Sequence, residues 1–110
     1  VRIIGGHGGK PDVANAGNIV YLMSYYAFMN IRVSNISLNT TDSELRKLFV
    51  PYGKVDSANV CRNALNGRSL KYGQVSMPVS AQGMQAIVSL DKTLFDGKII
   101  SVSELPSELY

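Results

Sequence analysis

Apolar and polar positions change rhythm along the chain, and each change marks an element. Between Asn30 and Asn35 they alternate, with Ile31 and Val33 apolar and Arg32 and Ser34 polar, the period of a half-buried strand. The spacing then becomes helical. Thr41-Asp42-Ser43-Glu44 predicts a capping box, in which the Thr41 hydroxyl accepts from the Glu44 amide and Glu44 reaches back. Leu45, Leu48 and Phe49 share one helical face, and Pro51-Tyr52-Gly53 stops the helix. Val55 to Cys61 predicts a second strand, carried by Val55 and Val60. Asn63 to Ser69, with Asn66-Gly67 inside it, predicts a hairpin loop, and Lys71 to Met77 a third strand ended by Pro78. Ser80 is the expected N-cap of a second helix over Ala81 to Leu90, with Met84, Ile87 and Leu90 at helical spacing. Gly83 weakens that helix by about 1 kcal/mol relative to Ala. Asp96-Gly97 predicts a turn, Lys98 to Ser103 a fourth strand, and Pro106 its end, ahead of a tail over residues 106–110.

The order βαββαβ over residues 29–105 predicts an α+β domain of the ferredoxin-like type. Four antiparallel strands form one sheet, and both crossover helices cover one face of it. The other face is left open. If Ile31, Val33, Val75, Met77, Ile100 and Val102 point to the helices, then Arg32, Ser34, Tyr72, Gln74, Ser76, Ile99, Ser101 and Ser103 point outward.

Residues 1–28 have another texture. Gly5, Gly6, Gly8 and Gly9 surround His7, and Lys10 is followed by Pro11, so the GGHGGK string lacks the Ser or Thr that a phosphate loop needs. Ile19 to Phe28 is apolar and rich in tyrosine (Tyr21, Tyr25, Tyr26). Such a segment is expected to pack over the open sheet face, to meet a protein partner, or to pair with a second copy in a homodimer. A leader ahead of a natural start at Met29 is the remaining reading. No small-x-small cleavage site follows it, which argues against a secretory signal.

Composition narrows the function classes. At 110 residues, 45% hydrophobic and 17% charged, the chain has material for one packed domain. The formal net charge of +3 permits contact with phosphates without requiring it. Cys61 is the sole cysteine, so no intramolecular disulfide forms, and with one histidine no metal site or other cofactor is expected. No apolar run reaches the roughly 18 residues that span a bilayer, so no membrane association is expected. An enzyme reading lacks parts: Asp42 and Glu44 are helix-start charges, Glu104 and Glu108 sit near the end, and no triad, metal set or acid–base pair is visible.

Residues 29 to about 105 resemble an RNA recognition motif. MNIRVSNISLNTTDSELRKLFVPYGKV is similar to that family's first strand and helix. IRVSNI (Ile31 to Ile36) stands at the family's second ribonucleoprotein motif and LKYGQVSM (Leu70 to Met77) at its first, approached by NGRSLKYG. LFDGKIISV (Leu94 to Val102) is similar to the lead into its fourth strand. The resemblance implies that single-stranded RNA, or single-stranded DNA, lies across the open sheet with bases stacked on aromatics of the central strands.

This chain departs from that pattern. Tyr72 keeps one stacking position, Gln74 replaces the second aromatic, Arg32 stands where the family usually carries the third, and Leu70 replaces the opening basic residue. At about 1–3 kcal/mol per stacked base, losing two platforms costs about 2–6 kcal/mol relative to a complete site. The Arg32 guanidinium recovers part of that by stacking on a base or meeting a phosphate. The resemblance thus implies weak, salt-sensitive binding anchored by Tyr72, with Arg32, Gln74, Ser34 and Ser101 on the face and Lys71, Arg68 and Arg62 at the hairpin loop. Each has a plainer alternative: Tyr72 as cross-strand packing, Arg32 as a solubilising charge, the loop cations as solvated. Phe49, Tyr52 and Phe95 are assigned to packing. The alternative function is a protein-interaction module on the same fold. Similarity to the short stand-alone members of bacteria implies the cytoplasm as the default location, with a nuclear or organellar one as the alternative.

Overall fold

Where the sequence alternates, the backbone is extended and paired; where it switches to helical spacing, it coils. The computed structural model describes residues 27–106. Strand β1 (Met29–Ser34) is followed by helix α1 (Asp42–Phe49), a 3-10 turn (Val50–Tyr52), β2 (Ser57–Arg62) and β3 (Ser69–Met77). Helix α2 (Ser80–Leu90) leads to β4 (Leu94–Phe95), β5 (Lys98–Ile99) and β6 (Ser101–Glu104). The main sheet has the order β2-β3-β1-β6, all antiparallel, so β1 and β3 are its central strands. The expectations for residues 1–26 (glycine run, apolar leader, pairing or covering role) and for residues 107–110 lie outside the described residues.

The six positions expected to face the helices do so: Ile31, Val33, Val75, Met77, Ile100 and Val102 are all buried, together with Leu45 and Phe49 of α1. The capping box forms as expected. The Glu44 N–H donates to Thr41 Oγ1 at 3.1 Å, and the Thr41 N–H donates to Glu44 Oε1 at 3.0 Å. Thr41→Ala removes one of these bonds and is expected to cost about 1 kcal/mol. That lowers the thermal midpoint by roughly 4–8 °C in a domain of this size, measurable by circular dichroism.

Helix ends also occupy the sheet's two edges. The Val60 N–H of β2 donates to Asp42 Oδ1 at 2.6 Å, and the Val102 N–H of β6 donates to Asp91 Oδ1 at 2.8 Å. Arg46 Nη1 donates to the Val55 carbonyl at 2.9 Å. Backbone groups that would otherwise template another strand are thus satisfied within the chain. Asp42 does more than favour the helix N-terminus.

Helix α2 departs from expectation in two ways. Its N-cap is Val79, which has no capping oxygen, and Ser80 is the first helical residue instead. Its inner face is Gly83, Ala86 and Leu90, whereas Met84 is 48% exposed and Ile87 only partly buried. On that inner face α2 comes close to β1. A Cβ on Gly83 would lie 2.8 Å from Met29 Sδ, so the residue that weakens the helix is also the one that lets it seat.

The expected fourth strand is broken. Lys98–Ile99 folds back on Leu94–Phe95, around Asp96 and Gly97 with φ of +52° and +83°, the sign required by a type I′ hairpin. Ile100 turns fully inward, its N–H bonded to the Thr93 carbonyl at 3.0 Å, and only Ser101–Glu104 joins the main sheet. The starts of β2 and β3 each shift by two residues. Val55 is buried but precedes β2, and β3 begins at Ser69.

Candidate nucleic-acid interface

Strand alternation and register together assemble the site on the face the helices leave uncovered. Ser34 of β1 lies between Tyr72 of β3 and Ser101 of β6. One pair further along, Arg32 lies between Gln74 and Ser103, and Asn59 of β2 extends that row beyond Gln74. Five of the eight expected site residues, Arg32, Ser34, Tyr72, Gln74 and Ser101, therefore share two adjacent rows across the sheet. Arg32 and Gln74 are exposed, and Tyr72, Ser34 and Ser101 are half-buried.

Tyr72 does not stand bare. The Arg32 guanidinium carbon lies over its ring, 4.0 Å from the centroid, and Arg32 Nε donates a long hydrogen bond to Ser34 Oγ at 3.4 Å. An exposed cation–π contact of this kind is worth about 0.5–1 kcal/mol. The residue that stands in place of a family aromatic is thus stacked on the aromatic that remains. A base reaches the tyrosine after the guanidinium moves aside, or stacks on the guanidinium itself.

Two backbone features hold Tyr72 in place. Gly73 faces inward where β2, β3 and α1 converge. A Cβ there would lie 2.7 Å from Leu45 Cδ2 and 2.8 Å from the Asn59 carbonyl oxygen, so no larger residue fits without moving backbone. Lys71 has the inward parity of the strand but adopts φ +67° at a bulge, and this swings it out to solvent. Its N–H donates to Ser69 Oγ at 3.0 Å.

Arg62 and Arg68 lie at the hairpin end of β2 and β3. Arg62 Nη1 donates to the Gly67 carbonyl at 3.3 Å, which ties that cation to the loop. Asn63 Oδ1 accepts from the Leu65 and Asn66 N–H groups, and Gly67 takes φ +73°, so the loop has a defined shape. Arg68 and Lys71 are exposed. A further cation was not anticipated. Lys92, at φ +65° in the turn after α2, donates from Nζ to Ser101 Oγ at 3.0 Å, adding positive charge at the β6 edge of the face. Its only sequence signal is a lysine in the connection that precedes the edge strand.

Phe49 is fully buried, and Tyr52 and Phe95 pack partly against the core, as their assignment to packing requires. Among the described residues no three His, Cys, Asp or Glu side chains converge on a metal-sized site, and no helix is long and apolar enough to cross a membrane.

Comparison with known proteins gives one consistent result. The family description matching residues 31–101 is the RNA recognition motif. Scaffold attachment factor B1 of Mus musculus is 39% identical over 79 residues, which is 72% of this chain and 8% of that protein. This chain therefore matches a small part of that curated relative's length. Among solved structures, the RNA binding protein PG1 has a TM-score of 0.71 at 32% identity, covering 74% of this chain and 99% of that one. The Sxl-lethal protein/RNA complex has a TM-score of 0.63 at 28% identity, covering 67% and 46%. The mouse relative is a eukaryotic protein in which the matched stretch is a minor part, so the likeness to short stand-alone bacterial members is not supported.

Proposed function

Because the chain belongs to the RNA recognition motif family, we propose that its open sheet face binds single-stranded RNA without catalysing a reaction. The reading is supported by one observation above others: the guanidinium–ring pair of Arg32 and Tyr72 at the centre of a polar, helix-free face. In this account Tyr72 and Arg32 offer the stacking surface. Gln74, Ser34 and Ser101 hydrogen-bond to base edges. Arg62, Arg68 and Lys71 meet phosphates at one end of the face, and Lys92 does so at the β6 edge. The binding unit is residues 29–105. RNA as the ligand class is supported by the solved relatives, since one is an RNA binding protein and another was solved with RNA.

With one family aromatic in place of three, modest affinity is expected, and electrostatics should carry much of it. Fluorescence anisotropy of a labelled mixed-sequence oligoribonucleotide, read from about 50 to about 200 mM salt, tests this. Binding should weaken with a log–log slope of about −0.7 per neutralised phosphate. Lys71→Ala and Arg68→Ala should each make the slope shallower by about 0.7. Absence of salt-dependent binding to any single-stranded oligoribonucleotide would sink the proposal and leave the protein-interaction reading.

A further inference from the structure

The geometry at Arg32 points to a base-reading role beyond stacking. We infer that Arg32 selects, at one nucleotide position, a base that presents two adjacent hydrogen-bond acceptors. The inference rests on the sheet being the RNA surface. Three observations on this chain carry it.

First, the guanidinium is already oriented. The Tyr72 ring beneath it and Ser34 Oγ beside Nε restrain the group from two directions. Second, the terminal nitrogens Nη1 and Nη2 have no partner among the described residues. Two parallel N–H donors on a restrained planar group are the donor half of a bidentate contact. Third, the group is central. β1 lies between β3 and β6, and Arg32 pairs with the neutral Gln74 and Ser103 on either side. Loop and edge cations, namely Arg62, Arg68, Lys71 and Lys92, are available to the phosphates, so the central fork is left to meet bases.

The chemistry of the four bases then decides the choice. Guanine offers O6 and N7 side by side on its Hoogsteen edge. In an unpaired strand cytosine offers O2 and N3 on its Watson–Crick edge. Adenine sets a donor beside its N7, and uracil sets an N–H between its two carbonyls, so neither satisfies both donors.

The test uses the whole chain and labelled oligouridines that carry one central guanosine, cytidine, adenosine or uridine. Guanosine or cytidine should tighten binding about 5- to 150-fold over adenosine and uridine, the usual range for one good bidentate pair. The two sources separate directly. If guanosine is preferred, 7-deazaguanosine, which lacks the N7 acceptor, should lose most of the gain; if cytidine is preferred, it alone should show the gain. Arg32→Lys keeps the charge and loses the fork, so it should bind all four oligomers alike with its salt slope retained. A wild-type chain that binds all four equally well would overturn this inference and leave the RNA-binding proposal standing. So would a preference that survives Arg32→Lys. Failure to bind any of the four would overturn both.

Discussion

Phe49→Ala is expected to remove about 3–5 kcal/mol of stability, the usual cost of deleting a buried aromatic ring. Phe49 closes α1, is fully buried and is the largest of the fully buried side chains. It belongs to the same buried cluster as Ile31, Val33, Val75 and Val102, the core between the helices and the sheet. Whole domains are stable by only about 5–15 kcal/mol, so this one change removes a large share of the total. Urea denaturation should show a lower midpoint at nearly unchanged slope. A loss below about 1 kcal/mol would mean that the ring's place in the core is wrong, because cavity formation alone costs more than that. Affinity for RNA, measured where the variant is still folded, should hardly change, since Phe49 lies on the helix side of the sheet.

Tyr72→Ala should do the reverse. Its ring is half-buried on the uncovered face, so the fold should tolerate the loss. Binding should weaken by about 1–3 kcal/mol, or roughly 5- to 150-fold, the value of one stacked base. The loss applies in either arrangement, because the ring is what the base, or the guanidinium beneath the base, rests on. Tyr72→Phe keeps the ring and should bind nearly as wild type. If Tyr72→Ala left affinity unchanged while the protein stayed folded, Tyr72 would be a packing residue and the anchor would lie elsewhere. Opposed outcomes for Phe49 and Tyr72, stability without binding and binding without stability, separate the two faces of the sheet.

Much of this was legible in the sequence because short-range rules set it. Period-two alternation put Ile31, Val33, Val75 and Val102 inside and Arg32, Ser34 and Gln74 outside, as the structure has them. The Thr41–Glu44 capping box depends on four consecutive residues, and it forms. What escaped depends on register or on side-chain path. The Arg32–Tyr72 stack requires knowing that Ser34 pairs with Tyr72 and Arg32 with Gln74, which neither strand states alone. The Lys92–Ser101 bond spans a helix-to-strand connection whose left-handed lysine has no sequence signature. Met84 fitted the helical period, but the inner face falls to Gly83, which seats against the Met29 side chain. The fourth strand read as continuous because hydrophobicity does not reveal that Ile100 leaves the ladder of β5 to bury its side chain. The stacking deficit at Arg32 and Gln74 was legible only against a family pattern, since composition alone assigns neither residue a role.

Which face takes the ligand decides most of this account, and residue-resolved NMR during titration of the full chain with a single-stranded oligoribonucleotide reads that directly. Amide shifts are predicted at Arg32, Ser34, Tyr72, Gln74 and Ser101, with the Arg32 Nε–H signal moving as its environment over the tyrosine changes. Met84 and Val88 on the outer side of α2 should stay still. Shifts centred on α2, or a spectrum unmoved at saturating oligonucleotide, would contradict it.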